Sequence, residues 1–185
     1  MSQKTISFSL SLKSIDAAIA EIEKMADGVD AALVATAESL TEFGESAAEF
    51  HLANAAAVLG GPSEPIDFYV DFDEAERVGT VAALGDEAAY YEYGTGIVGA
   101  HSPHPGIVSG ESDPPELTYK NRTYTKYDTY YHGLEGWNYR DPATGEMVHT
   151  AGMVGLAFMY SAYKELCELA PKQMQHELDE RGVMK

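Results

Sequence analysis

The sequence predicts an α+β protein: a small, mostly antiparallel sheet with helices packed on one face and a long extended loop or arm. Three observations lead there. Stretches near both ends repeat apolar residues every three or four positions, the period of an amphipathic helix. Between them, short runs alternate apolar and polar residues, the period of a strand with one face on a core. Those runs are joined by turn residues instead of crossover helices, which favours antiparallel neighbours.

Taken in order, Thr5 to Leu12 reads as a short strand, with Ile6, Phe8, Leu10 and Leu12 on one face. A helical region follows from 14 to about 57, with Ser14 as its N-cap. Its apolar stripe is Ile15, Ile19, Ile22, Ala26, Val29 and Leu33, continuing through Ala37, Leu40, Ala47 and Phe50. Asp27-Gly28 predicts a break into a short and a long helix. The stripe is expected to face a core, because alanine dominates it and the flanking charge pairs of a coiled-coil seam are missing.

LGGPSEP at 59–65 is a turn, and IDFYVDFD from Ile66 to Asp73 is the cleanest strand. Ile66, Phe68, Val70 and Phe72 point one way; Asp67, Tyr69, Asp71 and Asp73 point the other. The run Arg77 to Leu84 completes a hairpin across the short connection at 73–76. Three aspartates on one strand face invite a metal reading, but alternate positions lie ~7 Å apart. No His or Glu joins them at ligand spacing, so a solvated face explains them.

The stretch Gly94-Thr95-Gly96-Ile97-Val98-Gly99 has the spacing G-x-G-x-x-G of a dinucleotide loop, which needs a strand before it and a helix after it. Here a two-turn helix, Ala88 to Tyr93, is expected to precede it, with Asp86 as N-cap and Gly94 as a left-handed terminator. Pro103 and Pro105 follow, so the segment after it is expected to stay extended, and the glycines read as a cap and a tight loop. His101 and His104, with His132 and His149 further on, raise a zinc-dependent hydrolase as an alternative function. That reading lacks H-E-x-x-H and an obvious third ligand. No G-x-S-x-G elbow is present. No cofactor is expected.

From about 100 to 135 the chain loses its core period and reads as an inserted arm. It carries Tyr119, Tyr124, Tyr127, Tyr130 and Tyr131 beside Lys120, Arg122 and Lys126. Tyrosine supplies contact area at low entropic cost, so the arm suits a subunit or partner contact, or else a small hairpin packed on its own domain. The chain returns to the sheet at Gly136 to Arg140, turns at 141–145 and comes back over Glu146 to Thr150. A final helix is expected from about Gly155 to Leu169, with a break or kink at Pro171. The organisation expected is thus one domain over 1–170 and a polar tail over 171–185.

With 30 acidic against 12 basic residues, the 185-residue chain carries a net charge of −18, which repels a phosphate backbone. Tight nucleic-acid binding is disfavoured, whereas an acidic wall past which DNA slides is not. Cys167 is alone and lies among Leu166, Leu169 and Ala170, so it reads as a structural thiol. No apolar run reaches the ~18 residues of a membrane span.

Several segments together resemble a known family. These are YYEYGTG (Tyr90 to Gly96), a His/Pro loop, GWNY, and HTAGMVGLAFMYSAYKEL (His149 to Leu166). They resemble the tail-completion, or tail-to-head joining, proteins of long-tailed double-stranded DNA bacteriophages. Val78-Gly79-Thr80 and Phe158-Met159-Tyr160-Ser161-Ala162 match further places of that pattern, and Ala157 stands where the family has proline. The resemblance covers about 14–170, and the loop over 100–135 is longer than the family's. It implies a virion subunit forming a ring, typically of six copies, which ends the tail tube and joins it to the head-completion or stopper protein. Double-stranded DNA passes through the lumen of such a ring. On this reading Asp67, Asp71, Asp73, Glu74 and Glu76 line the channel. Tyr90, Tyr93, Gly94, Thr95 and Gly96, with the arm tyrosines, serve subunit contacts. A second alternative is an oligomeric adaptor outside any virion.

Overall fold

In the computed structural model the residues described are 12–62, 65–85, 87–102, 104–110, 116–119, 122–125, 136–140 and 144–183. The expected strand over Thr5 to Leu12 lies outside them, apart from Leu12, which begins a helix. The fold is α+β: a long helix packed against small antiparallel sheets. In place of one small sheet, the described strands form four two-stranded pairs.

Helix α1 (Leu12–Leu59) runs 48 residues without the expected break. It is followed by β1 (Asp67–Asp73) and β2 (Val78–Leu84), paired as the predicted hairpin. Helix α2 (Ala88–Tyr93), strand β3 (Gly94–Thr95) and helices α3 (Gly96–His101) and α4 (Pro105–Ser109) come next. Strands β4 (Glu116–Tyr119) and β5 (Arg122–Thr125) pair antiparallel, as do β6 (Trp137–Arg140) and β7 (Met147–Thr150). Strand β8 (Gly152–Val154) and helix α5 (Phe158–Glu180) close the chain.

The chain divides into two compact units. One holds α1 up to Glu45, the hairpin segment Val70–Val81, and the chain from Lys164 onward. Here α1 and α5 run antiparallel, and their contacts step in register. Gly28 meets Val183, Thr36 Oγ1 donates to Met174 Sδ at 3.6 Å, and Gly44 meets Leu166. The facing residues of α1 are small: Gly28, Ala32, Thr36 and Gly44. A Cβ on Gly28 would stand 2.6 Å from Val183 Cγ2, so this glycine admits the segment that follows α5 and is not a break in α1. The expected core stripe is therefore corrected. Ile19, Ile22, Val29 and Leu33 are exposed, while Ala32 and Thr36 are buried.

The polar tail expected after 171 is also part of this unit. Helix α5 continues through Pro171, where Cys167 and Pro171 are both exposed. Proline removes one helical hydrogen bond at this place, and it does so on an exposed face of α5. Val183 is buried.

The second unit holds the remainder, Ser46–Tyr69 and Ala82–Tyr163. Its core is Ala47, Ala48, Leu156, Phe158 and Ala162, with Leu52, Ile66, Phe68, Ala83, Tyr91 and Met159 packed against it. Phe158 is fully buried and meets Phe68 edge to face, with ring centroids 6.1 Å apart. The predicted alternation of β1 holds throughout, with Phe68, Val70 and Phe72 half-buried and Asp67, Tyr69, Asp71 and Asp73 exposed.

Candidate functional site

The G-x-G-x-x-G segment is the middle of a joint between two distant parts of the chain. Helix α2 precedes it, as the residues indicate, and ends at Gly94. Gly94 has φ 78° and ψ 171°, a region only glycine occupies readily, instead of the left-handed helical conformation expected. A Cβ there would sit 2.5 Å from the Gly155 nitrogen and 2.7 Å from the Met153 carbonyl oxygen. The reason is strand β8, which a three-residue stretch without alternation did not reveal. Gly94 pairs with Val154, Thr95 with Met153, and Gly96 bridges Gly152.

The segment after the motif is not extended, contrary to expectation. Helix α3 begins inside the motif at Gly96, and α4 begins at Pro105. Proline suits the first position of a helix, where its missing N–H has no partner to lose. His104 is the N-cap of α4 and accepts from the Gly106 N–H through Nδ1 at 3.1 Å.

His104 leads to the residue at the centre of the joint, Glu92. The His104 Nε2–H donates to Glu92 Oε1 at 2.8 Å, with both side chains buried. Since Nδ1 accepts, the ring is the Nε2–H tautomer. Glu92 Oε2 also accepts from the Met159 N–H at 2.8 Å, and Oε1 from the Tyr160 N–H at 3.0 Å. These are among the first amides of α5, which have no partner within their own helix. Ala157, just before α5, has no side chain to offer them. A carboxylate from α2 thus caps α5 across 67 residues of chain and sits at the positive end of its dipole. Backbone bonds complete the joint, from Leu156 N–H to the Tyr91 carbonyl at 2.6 Å and from Ala157 N–H to the Glu92 carbonyl at 3.1 Å.

Ala157 itself has φ 50°, which proline, held near −65°, cannot adopt. Around Glu92 and His104 lies a cleft of about 450 Å³ lined by Ala83, Ala88, Tyr93, Met159, Tyr160 and Tyr163. Tyr93 stacks obliquely on His104 with centroids 4.6 Å apart, and Tyr160 meets the same ring edge to face at 5.2 Å.

These contacts bear on the zinc reading of the His101/His104 loop. Both ring nitrogens of His104 are engaged within the protein, His101 is exposed, and among the described residues no group of three His, Cys, Asp or Glu stands close enough to hold an ion.

The other expected site residues are distributed as follows. Gly94 and Gly96 are buried, so their role is internal to the chain, whereas Tyr90, Tyr93 and Thr95 stay half-buried. In the arm, Tyr119 and Tyr124 belong to the β4–β5 hairpin, while Tyr127, Tyr130 and Tyr131 lie outside the described residues. Asp67, Asp71, Asp73, Glu74 and Glu76 are all exposed on β1 and the turn that follows it. Asp73 has a local duty as well, since its Oδ1 accepts from the Glu76 N–H at 3.0 Å and closes the turn. Arg77, with φ 56°, pairs with Asp30 of α1.

Sequence reasoning missed Glu92. A signal was present: Glu92 stands four residues after Ala88, so both fall on one face of α2, and both are buried. Comparison with protein-family models, with curated proteins and with solved structures gives no match.

Proposed function

We propose that this chain is a structural subunit of a phage neck, a ring that ends the tail tube and joins it to the head-completion or stopper protein. One observation carries the reading. Two of the segments that resemble tail-completion proteins, Tyr90 to Gly96 and His149 to Leu166, are far apart in sequence and meet in one joint through β3, β8 and the Glu92 cap. The resemblance thus falls on residues that depend on one another physically. The acidic surface supports it further. With a net charge of −18 and an exposed acidic row on β1 and its turn, the chain suits a lumen through which double-stranded DNA passes without adhering.

The partners on this reading are further copies of the chain, typically six to a ring, the stopper protein and the tail tube protein. The place of action is the virion. Imaging of the purified protein, alone and mixed with tail tubes, tests the proposal: closed rings on tube ends are expected, and a protein dispersed in both samples overturns it. The channel role has its own test. Charge reversal at Asp67, Asp71 and Glu74 to Lys is expected to slow genome ejection from assembled particles, and unchanged ejection kinetics would remove those residues from the lumen.

A further inference from the structure

The exposed stripe of α1 is left unexplained by the joint and by the acidic hairpin. Ile19, Ile22, Ala26, Val29 and Leu33 recur at steps of three and four, an apolar seam along one face of the helix. Yet Ile19 is 49% exposed, Ile22 55%, Val29 37% and Leu33 43%. Single exposed apolar residues need no explanation, but a continuous seam of them along one helix face marks an interaction surface.

The two flanks of the seam differ, and the difference selects the partner. On one side lie Ala18, Met25 and Ala32, of which Ala32 is buried and the other two half-buried. On the other lie Asp16, Glu23 and Asp30, one every seven residues and all exposed. A second copy fits poorly. Paired antiparallel, two copies would bring acidic flank against acidic flank. Paired parallel, the acidic flank of one would need the Ala32 flank of the other, which its own chain already covers.

We infer that this seam docks an amphipathic helix of another protein, one that carries branched apolar residues along its seam and Lys or Arg beside them. The apolar contact supplies adhesion; the acidic row sets orientation and excludes acidic helices. The inference stands on the geometry of α1 and does not depend on the neck role, so either can fail alone.

The test uses the full chain and two synthetic helical peptides with the same Ile/Leu seam, one flanked by Lys and the other by Glu, titrated by fluorescence anisotropy. The Lys-flanked peptide is expected to bind more tightly than the Glu-flanked one, by at least about tenfold, and to weaken at about 0.5 M salt. Ile22→Lys with Val29→Lys is expected to lower its affinity by more than about tenfold, and the Ala versions of both to act in the same direction. Asp16→Lys with Glu23→Lys is expected to invert the preference. Asp30 is left alone because it holds Arg77. All four positions are exposed, so these variants are expected to keep the parent's helical circular dichroism and melting temperature. Equal binding of both peptides, no binding, or binding indifferent to Ile22 and Val29 overturns the proposal. So does self-association that Ile22→Lys abolishes, or capture by zwitterionic vesicles, since either names a different occupant.

Discussion

Glu92 accepts three hydrogen bonds while buried, and each would otherwise leave a donor stranded. Unpaired buried donors cost about 1–3 kcal/mol apiece. Glu92→Ala is therefore expected to lower stability by about 3 kcal/mol or more in urea denaturation, and His104→Ala by less, because it leaves the α5 cap in place. A loss under about 1 kcal/mol for Glu92→Ala would mean that other groups cap α5. At Gly94 the constraint is steric and has two sources, the positive φ and the backbone of Met153 and Gly155. Gly94→Val is expected to abolish the folded state, read from soluble yield and circular dichroism. A variant that melts like the parent would show that β3 and β8 can part at little cost.

At the scale of elements, α1 packs through its small residues on α5 and on the segment just after it, and Gly28, against Val183 of that segment, is the tightest of these contacts. Alanine there gains about 1 kcal/mol of helix propensity. Against that gain stands a clash with Val183, whose β-branched side chain is stiff and buried, and overpacking costs about 1–3 kcal/mol. The sign is thus expected to depend on position 183. Gly28→Ala alone should destabilise, and in a Val183→Ala background it should stabilise. Thermal melts of the four proteins give the coupling, and strict additivity would separate the two residues. The same pairing explains why the helical period at the start of the chain was legible while its buried face was not. Ile19 to Leu33 is the more apolar stripe, but the Gly28, Ala32, Thr36 side is the one that lets α5 approach.

For the whole molecule, the net charge of −18 is the property on which the proposed role in assembly leans. Two features offer contact surfaces of different kinds, an acidic hairpin and an apolar seam with an acidic edge. The first suits passage of a polyanion, the second a basic helical partner. Imaging with tail tubes and titration with charged peptides therefore interrogate separate parts of the chain.

The sequence by itself determined the α+β class and several elements: α2 over Ala88–Tyr93, the β1–β2 hairpin, and the β6–β7 pair within a residue or two at each end. These follow from periodicity and turn chemistry, which act over a few residues. Only the tertiary structure decided which face of α1 is covered, that β8 pairs with β3, that α5 runs through Pro171, and that Glu92 caps α5. Each of these outcomes depends on what another segment brings close: a helix that needs small residues to approach, or amides that need an acceptor. Local patterning shows how much apolar surface a segment offers and where its backbone bends, whereas what covers that surface depends on residues far away along the chain.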